Sequence, residues 1–256
     1  MKRVVHLVRY IYSIYALITF ILVMLSVMPF VFLSLPFGRV TGGNFIYHLC
    51  KIWATVWYFF LGVRHQEIHE IAHEKSRQYI FIANHNSYMD IPPIVRIAHS
   101  PLRILGKYES SKIPVFGWIY SKAVILVDRS NAERRSQSVR ALKQAIADGL
   151  SIFIFPEGTF NESEKPLKSF FDGAFRIAIE TQTPIKPLLF IDTIERMHFS
   201  SIFSITPGKS RVVYLADIPV AGLTMEDLPV LKERAYLQME EGLKRYRKYP
   251  TVLSVF

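Results

Sequence analysis

FIANHNSYMDIPP, residues 81–93, decides the fold. It closes an apolar run, continues through Asn84-His85, and places Asp90 five residues after the His, just ahead of Pro92 and Pro93. An apolar run without polar alternation reads as a strand covered on both faces. Paired prolines suit the first turn of a helix. The stretch is therefore a strand, a turn and a helix start. An interval of five does not put two side chains on one helix face, but a turn after His85 can carry Asp90 back to the imidazole. A carboxylate on one ring nitrogen fixes the tautomer and supports charge on the ring. The other nitrogen can then take a proton from a hydroxyl, which is worth about 10²–10⁴ in rate. Taken on these two residues alone, a polar turn followed by a capping Asp accounts for the spacing equally well. Nothing in the sequence makes Ser87 an attacking group.

The same alternation continues on either side. QYIFIAN (78–84), LRILGK (102–107), AVILVDR (123–129), LSIFIFPEG (150–158), PIKPLLF (184–190) and RVVYLA (211–216) read as strands. Ser130 to Ala147 reads as a helix, with Ser130 and Glu133 forming a capping box. Gly173 to Gln182 and Thr224 to about Tyr249 read as two more. The spacing predicts an α/β domain with a central, largely parallel or mixed sheet flanked by helices. Sites in such sheets lie outside strand carboxyl ends. The polar interruptions fall there: Asn84-His85, Asp128-Arg129 and Pro156-Glu157-Gly158-Thr159.

The chain has 256 residues, half of them apolar, one Cys (Cys50) and a formal charge of +10. One cysteine excludes an internal disulfide. A basic surface fits nucleic acid, an anionic membrane or an acidic ligand. Lys2, Arg3 and Arg9 precede Tyr10 to Gly38, a run with no charged residue. As a helix that run is about 43 Å long, against roughly 30 Å of hydrocarbon. Residues 10–35 are read as membrane-embedded, with Pro29 and Pro36 kinking or ending the helix. FIYHLCKIWATVWYFFLGV, residues 45–63, carries Lys51 and is read as interfacial or re-entrant. Residues 1–63 are thus an N-terminal membrane anchor and 64–256 the catalytic domain. Basic flanks place that domain, and any active site in it, on the cytoplasmic face.

Four motifs together resemble the glycerolipid or lysophospholipid acyltransferases of the 1-acylglycerol-3-phosphate type. They are Asn84-His85 to Asp90, AVILVDR at 123–129, FPEGT at 155–159 and TPIKPL at 183–188, and GAFRIA at 173–178 is similar as well. The resemblance spans residues 78–190. It implies a glycerol-3-phosphate acyltransferase-like fold with His85 and Asp90 catalytic. His85 deprotonates a lysolipid hydroxyl, which attacks the thioester of acyl-CoA or acyl-carrier protein to give phosphatidate. It further implies substrate contacts from Asn84, Arg129, Glu157, Gly158, Thr159 and Lys186, with Arg129 on the acceptor phosphate. The Glu157-Gly158-Thr159 backbone N–H groups are candidates for oxyanion or acceptor binding. No metal and no cofactor is required. The partners are a lysophospholipid acceptor, the acyl donor and membrane lipid.

The chain departs from the family pattern at three places. Ala123 stands where the second motif opens with Gly, Phe160 where the third continues with Arg, and Phe171 where a Lys precedes Gly-Ala. Lys168, Arg176 or Lys186 can supply the missing cations. Lysophosphatidate stays the favoured acceptor; the departures motivate an alternative, such as a lyso-aminolipid or another lysophospholipid, and a non-catalytic lipid-binding protein is the reading of another class. His65, His69 and His73 recur every four residues and invite a metal. Residues 63–68 also alternate like a strand, however, and the resembling family begins its domain with one. ERRSQSVRALK (133–143) has no stacking platform beside it, so no nucleic-acid partner is expected.

Overall fold

The protein is described here by a computed structural model covering residues 2–34, 36–72, 74, 76–97, 102–113, 116–128 and 132–247. In chain order its elements are α1 (Lys2–Phe32), α2 (Arg39–Phe60), β1 (Val63–His69), β2 (Ile80–Ala83), α3 (Ile91–Ile97), β3 (Leu102–Lys107), α4 (Phe116–Ala123) and β4 (Val124–Val127). There follow α5 (Ala132–Ala147), β5 (Ser151–Ile154), α6 (Gly173–Thr181), β6 (Ile185–Phe190), α7 (Thr193–Arg196), β7 (Gly208–Tyr214) and α8 (Leu228–Tyr246).

The described strands form one mixed sheet in the order β1-β7-β6-β2-β5-β3-β4. Every neighbouring pair is parallel except β6 with β7. β1 and β7 therefore run against the other five strands. β2 and β5 sit side by side with Ile82 opposite Ile154, so the loops after them leave the sheet together.

All four residues of β2 and of β5 are buried, which is why they carry no polar alternation. Ile80, Ile82, Ile152 and Ile154 face Leu142 of α5, Phe175 of α6 and Met239 of α8. Tyr79, Phe81, Ala83 and Phe153 face the other way, against Ile94 of α3 and against Tyr47 and Ala54 of α2. The apolar stretch at 45–63 is thus a two-faced helix. One side of α2 buries Tyr47, Ala54, Trp57 and Tyr58, while Ile52, Phe59 and Phe60 face outward.

α1 alone among the described helices is long and apolar enough to cross a membrane. It continues through Pro29 and ends one turn later. Its first half is bonded to the domain. Tyr12 Oη donates to Leu61 O at 2.6 Å, Trp57 Nε1 donates to Ala16 O at 3.0 Å, and Ser13 Oγ accepts from Ile205 N at 3.1 Å. Val4, Leu7, Ile11, Ile18 and Leu22 stay exposed.

Residues 63–69 are β1, so His65, Glu67 and His69 share a strand face through a period of two. His73 and Ser130, expected as a third histidine and a helix cap, lie outside the described residues.

Candidate active site

β2 ends where its ladder to β6 runs out, and Asn84 extends the pairing by one step. Its Nδ2 donates to Phe190 O at 3.0 Å and its Oδ1 accepts from Phe190 N at 2.8 Å. The side chain is buried and both ends of its amide are engaged by backbone. Asn84 therefore fixes the point at which the chain leaves the sheet. It does not face a ligand, contrary to the substrate contact expected for it.

His85 follows, held at three points. Its backbone N–H donates to Glu157 Oε1 at 2.8 Å, its carbonyl accepts from Asn161 N at 2.6 Å, and Nδ1 lies 2.8 Å from Asp90 Oδ2. The ring stacks on Phe155 at 3.7 Å between centroids, and Phe160 meets it edge-on at 4.4 Å. Tyr88 in turn meets Phe160 edge-on. The imidazole is left 15% exposed.

Asp90 closes a short 3₁₀ turn, Tyr88–Asp90, in a reciprocal cap with Ser87. Its Oδ2 accepts from Asn86 N and Ser87 N, each at 2.9 Å, as well as from the imidazole. Ser87 Oγ donates to Met197 O at 2.6 Å, so that hydroxyl is committed to holding the turn. Asp90 is fully buried, and its Oδ1 has no hydrogen-bond partner. A buried carboxylate so placed must keep its neighbour's proton on Nδ1, because it can only accept. Nε2 then carries the lone pair. Charge that develops on the ring during proton uptake falls beside a fixed anion, where it is stabilised.

Glu157 lies beneath this arrangement. Its second oxygen, Oε2, accepts from Lys168 N at 2.7 Å, so one buried carboxylate joins the β5 loop to both His85 and the segment before α6. Burial pushes its pKa up to about 7; the two backbone N–H bonds and the Lys168 charge pull the other way without cancelling it. Glu157 is 1% exposed, with each oxygen already accepting a backbone N–H. Gly158 takes φ of 74°, a left-handed turn that favours glycine. Its N–H donates to Phe155 O at 3.0 Å, which removes it from the expected oxyanion donors. Thr159 does reach the site's edge: its Oγ1 accepts from Lys168 Nζ at 2.8 Å, and both residues line a cavity of about 370 Å³ with Phe160, Glu162 and Ser163.

Lys186 is elsewhere. It faces Phe81 across β2 and β6, four residues before His85, or about 13 Å along a strand. It is 0% exposed and its Nζ pairs with Asp217 Oδ1 at 2.5 Å. Its role is to neutralise Asp217 at the amino end of the parallel strands, and it has no route to the site. Arg129 lies outside the described residues. β4, which precedes it, is three strands from β2, about 14 Å across the sheet. Among the described residues, two of the three expected strand ends, those of β2 and β5, lie side by side.

Asn161 and Phe155 were not among the expected site residues. The Asn161 side chain accepts from Ser163 N at 3.0 Å and donates to Lys165 O at 2.8 Å, an Asx turn signalled only by Asn-x-Ser.

The family described as Acyltransferase matches residues 63–191. An uncharacterized acyltransferase of Schizosaccharomyces pombe is 29% identical over 184 residues, 70% of this chain and 64% of that protein. The chloroplastic 1-acyl-sn-glycerol-3-phosphate acyltransferase LPAT1 of Arabidopsis thaliana is 26% identical over 76% of this chain and 54% of its own length. The human 1-acyl-sn-glycerol-3-phosphate acyltransferase beta is 26% identical, with 75% of this chain and 69% of that protein covered. The chain thus spans less than two thirds of the length of the first two. Among solved structures, the 1-acyl-sn-glycerophosphate acyltransferase PlsC of Thermotoga maritima superposes with a TM-score of 0.74 at 21% identity, covering 98% of this chain and all of that one.

Proposed function

The chain belongs to the acyltransferase family, and we propose that it moves a fatty acyl group from acyl-CoA or acyl-carrier protein to the free hydroxyl of 1-acylglycerol-3-phosphate, giving phosphatidate. One observation carries the reading: the 2.8 Å contact between His85 Nδ1 and Asp90 Oδ2, which leaves Nε2 as the base. The names of the Arabidopsis and human relatives support the acceptor.

In the proposed reaction Nε2 takes the hydroxyl proton as the alcohol oxygen attacks the thioester carbon. A tetrahedral intermediate forms, its carbon–sulfur bond breaks, and the departing thiolate takes the proton back from the imidazolium. His85 and Asp90 act as one unit, and Phe155 and Phe160 keep water from the ring. The stacked and edge-on rings also limit the imidazole to one orientation, which a proton transfer over hydrogen-bond distance requires. The exposed apolar faces of α1 and α2 would seat the protein in a bilayer, with the site on its cytoplasmic side.

A second acceptor class is favoured by Phe160, which stands against His85 where the family pattern has a cation. A lyso-aminolipid would meet that aromatic edge without needing a second positive charge. Purified protein given one labelled acyl donor and a panel of lyso-acceptors, with products read by mass, tests both. Phosphatidate as the main product is expected. An acylated aminolipid as the main product would move the assignment to the second class, and no acylated product from any acceptor would end it.

A further inference from the structure

At the two positions where the acyltransferase pattern carries cations beside the acceptor, this chain has Phe160 and Phe171, and Phe171 is 64% exposed. A different ammonium group stands in their neighbourhood. Lys168 Nζ donates to Thr159 Oγ1 at 2.8 Å and to Phe160 O at 3.5 Å, inside the cavity those residues line. A lysine ammonium has three donors, so two contacts leave one for a ligand. Thr159 Oγ1 accepts from Lys168, so its own hydrogen is free to donate as well. The Ser163 hydroxyl is spent on Asn161 Oδ1 at 2.6 Å.

The position of this cation relative to the imidazole is built in. Glu157 holds the backbone N–H of His85 with one oxygen and that of Lys168 with the other. Asn161, on the loop that forms the cavity wall, bonds the His85 carbonyl. Phe160 touches His85 on one side and lines the cavity on the other. Phe160 is thus the one lining residue in ring contact with the imidazole, and a ligand with an anion in the cavity has to pass Phe160 to bring its hydroxyl to His85.

We infer that Lys168, with the Thr159 hydroxyl, holds the phosphomonoester of the acceptor and so sets acceptor specificity in place of the absent cations. This rests on the acyl-transfer reading above. Glu162 lines the same cavity and carries like charge to that phosphate, so it opposes binding of a dianion and sharpens dependence on Lys168.

The test compares wild type, K168M, K168R and E162Q in uncharged detergent micelles, which removes bulk anionic lipid. The acceptors are lysophosphatidate and a monoacylglycerol with the same chain and no phosphate. K168M is expected to raise the KM for lysophosphatidate about tenfold to hundredfold, the scale of one hydrogen bond to a charged group. The KM for monoacylglycerol and for the acyl donor should stay within about twofold, and kcat within about threefold. K168R should keep most of the lysophosphatidate preference, and E162Q should lower that KM. An equal rise for both acceptors would reduce Lys168 to a prop for Thr159. No rise, or a rise confined to the donor, would overturn the inference too. Equilibrium binding of the two acceptors gives the same comparison without turnover. A protein that binds lysophosphatidate through Lys168 yet transfers no acyl group would sink the functional reading and spare this one.

Discussion

Glu157 Oε1 accepts the backbone N–H of His85 at 2.8 Å, across an interval of 72 residues. The carboxylate is raised to about 7 by burial while doing so.

That coupling makes stability depend on pH. The folded-state pKa lies above the ordinary 4.5, so between pH 4.5 and about 7 the folded chain holds a proton that the unfolded chain has released. Stability from this group is complete below 4.5 and falls as pH rises through 7, by an amount on the order of 3 kcal/mol. Thermal melting of wild type from pH 5 to 8 is expected to fall more steeply than that of E157Q, which lacks this titrating group. Parallel curves for the two proteins would remove Glu157 as the source. E157A leaves two buried backbone N–H groups without acceptors and should lose about 2–5 kcal/mol.

His85→Ala and Asp90→Asn separate the two halves of the proposed base. H85A is expected to lower kcat by about 10²–10⁴ or more while melting close to wild type. D90N should lower kcat by a comparable factor, through loss of the tautomer and of the anion beside the ring. Turnover of H85A near the wild-type rate would remove the imidazole as base. A near-normal D90N would do the same for the orienting carboxylate.

Asn84→Ala should act on stability. The amide makes two bonds to Phe190 backbone inside the sheet. Their loss leaves a buried N–H and carbonyl unmatched, at about 1–3 kcal/mol each. Urea unfolding should show a lower midpoint, and the KM of the folded fraction should be unchanged. A raised KM at unaltered stability would return Asn84 to substrate binding.

Lys186 and Asp217 should behave as a structural pair. D217N strips the buried ammonium of its counter-charge and is expected to cost about 3–5 kcal/mol. K186M replaces the buried cation with an apolar chain of similar length and should cost less. Neither variant should alter acceptor preference. A K186M protein with a raised KM for lysophosphatidate would contradict the placement of Lys186 away from the site.

The parts legible in the sequence are those whose physics is local. β2, the turn and Asp90 lie within a dozen residues, so the spacing of His85 and Asp90 could be read as one cap and one contact. The buried strands were legible because their two covered faces leave an uninterrupted apolar run. Asn84 was misread because an amide beside a histidine looks like a ligand donor, and only the register with Phe190 shows where it is used. Lys186 was misread for a similar reason. A charge inside an apolar strand suggests a site until Asp217, 31 residues later, is seen beside it. The third strand end, after β4, is set apart by strand order, which puts β3 and β5 between β2 and β4, and its Arg129 lies outside the described residues. No motif encodes that order. Lys168 was legible only as one of three spare cations, because its partner Thr159 is brought to it by a loop.

The bonds from Tyr12, Ser13 and Ala16 to Leu61, Ile205 and Trp57 fasten the first half of the first helix to the second helix and to the segment ahead of β7. The imidazole consequently keeps a set height and tilt above whatever plane that helix occupies. On the proposed function, an acceptor then reaches the imidazole by diffusing within that plane.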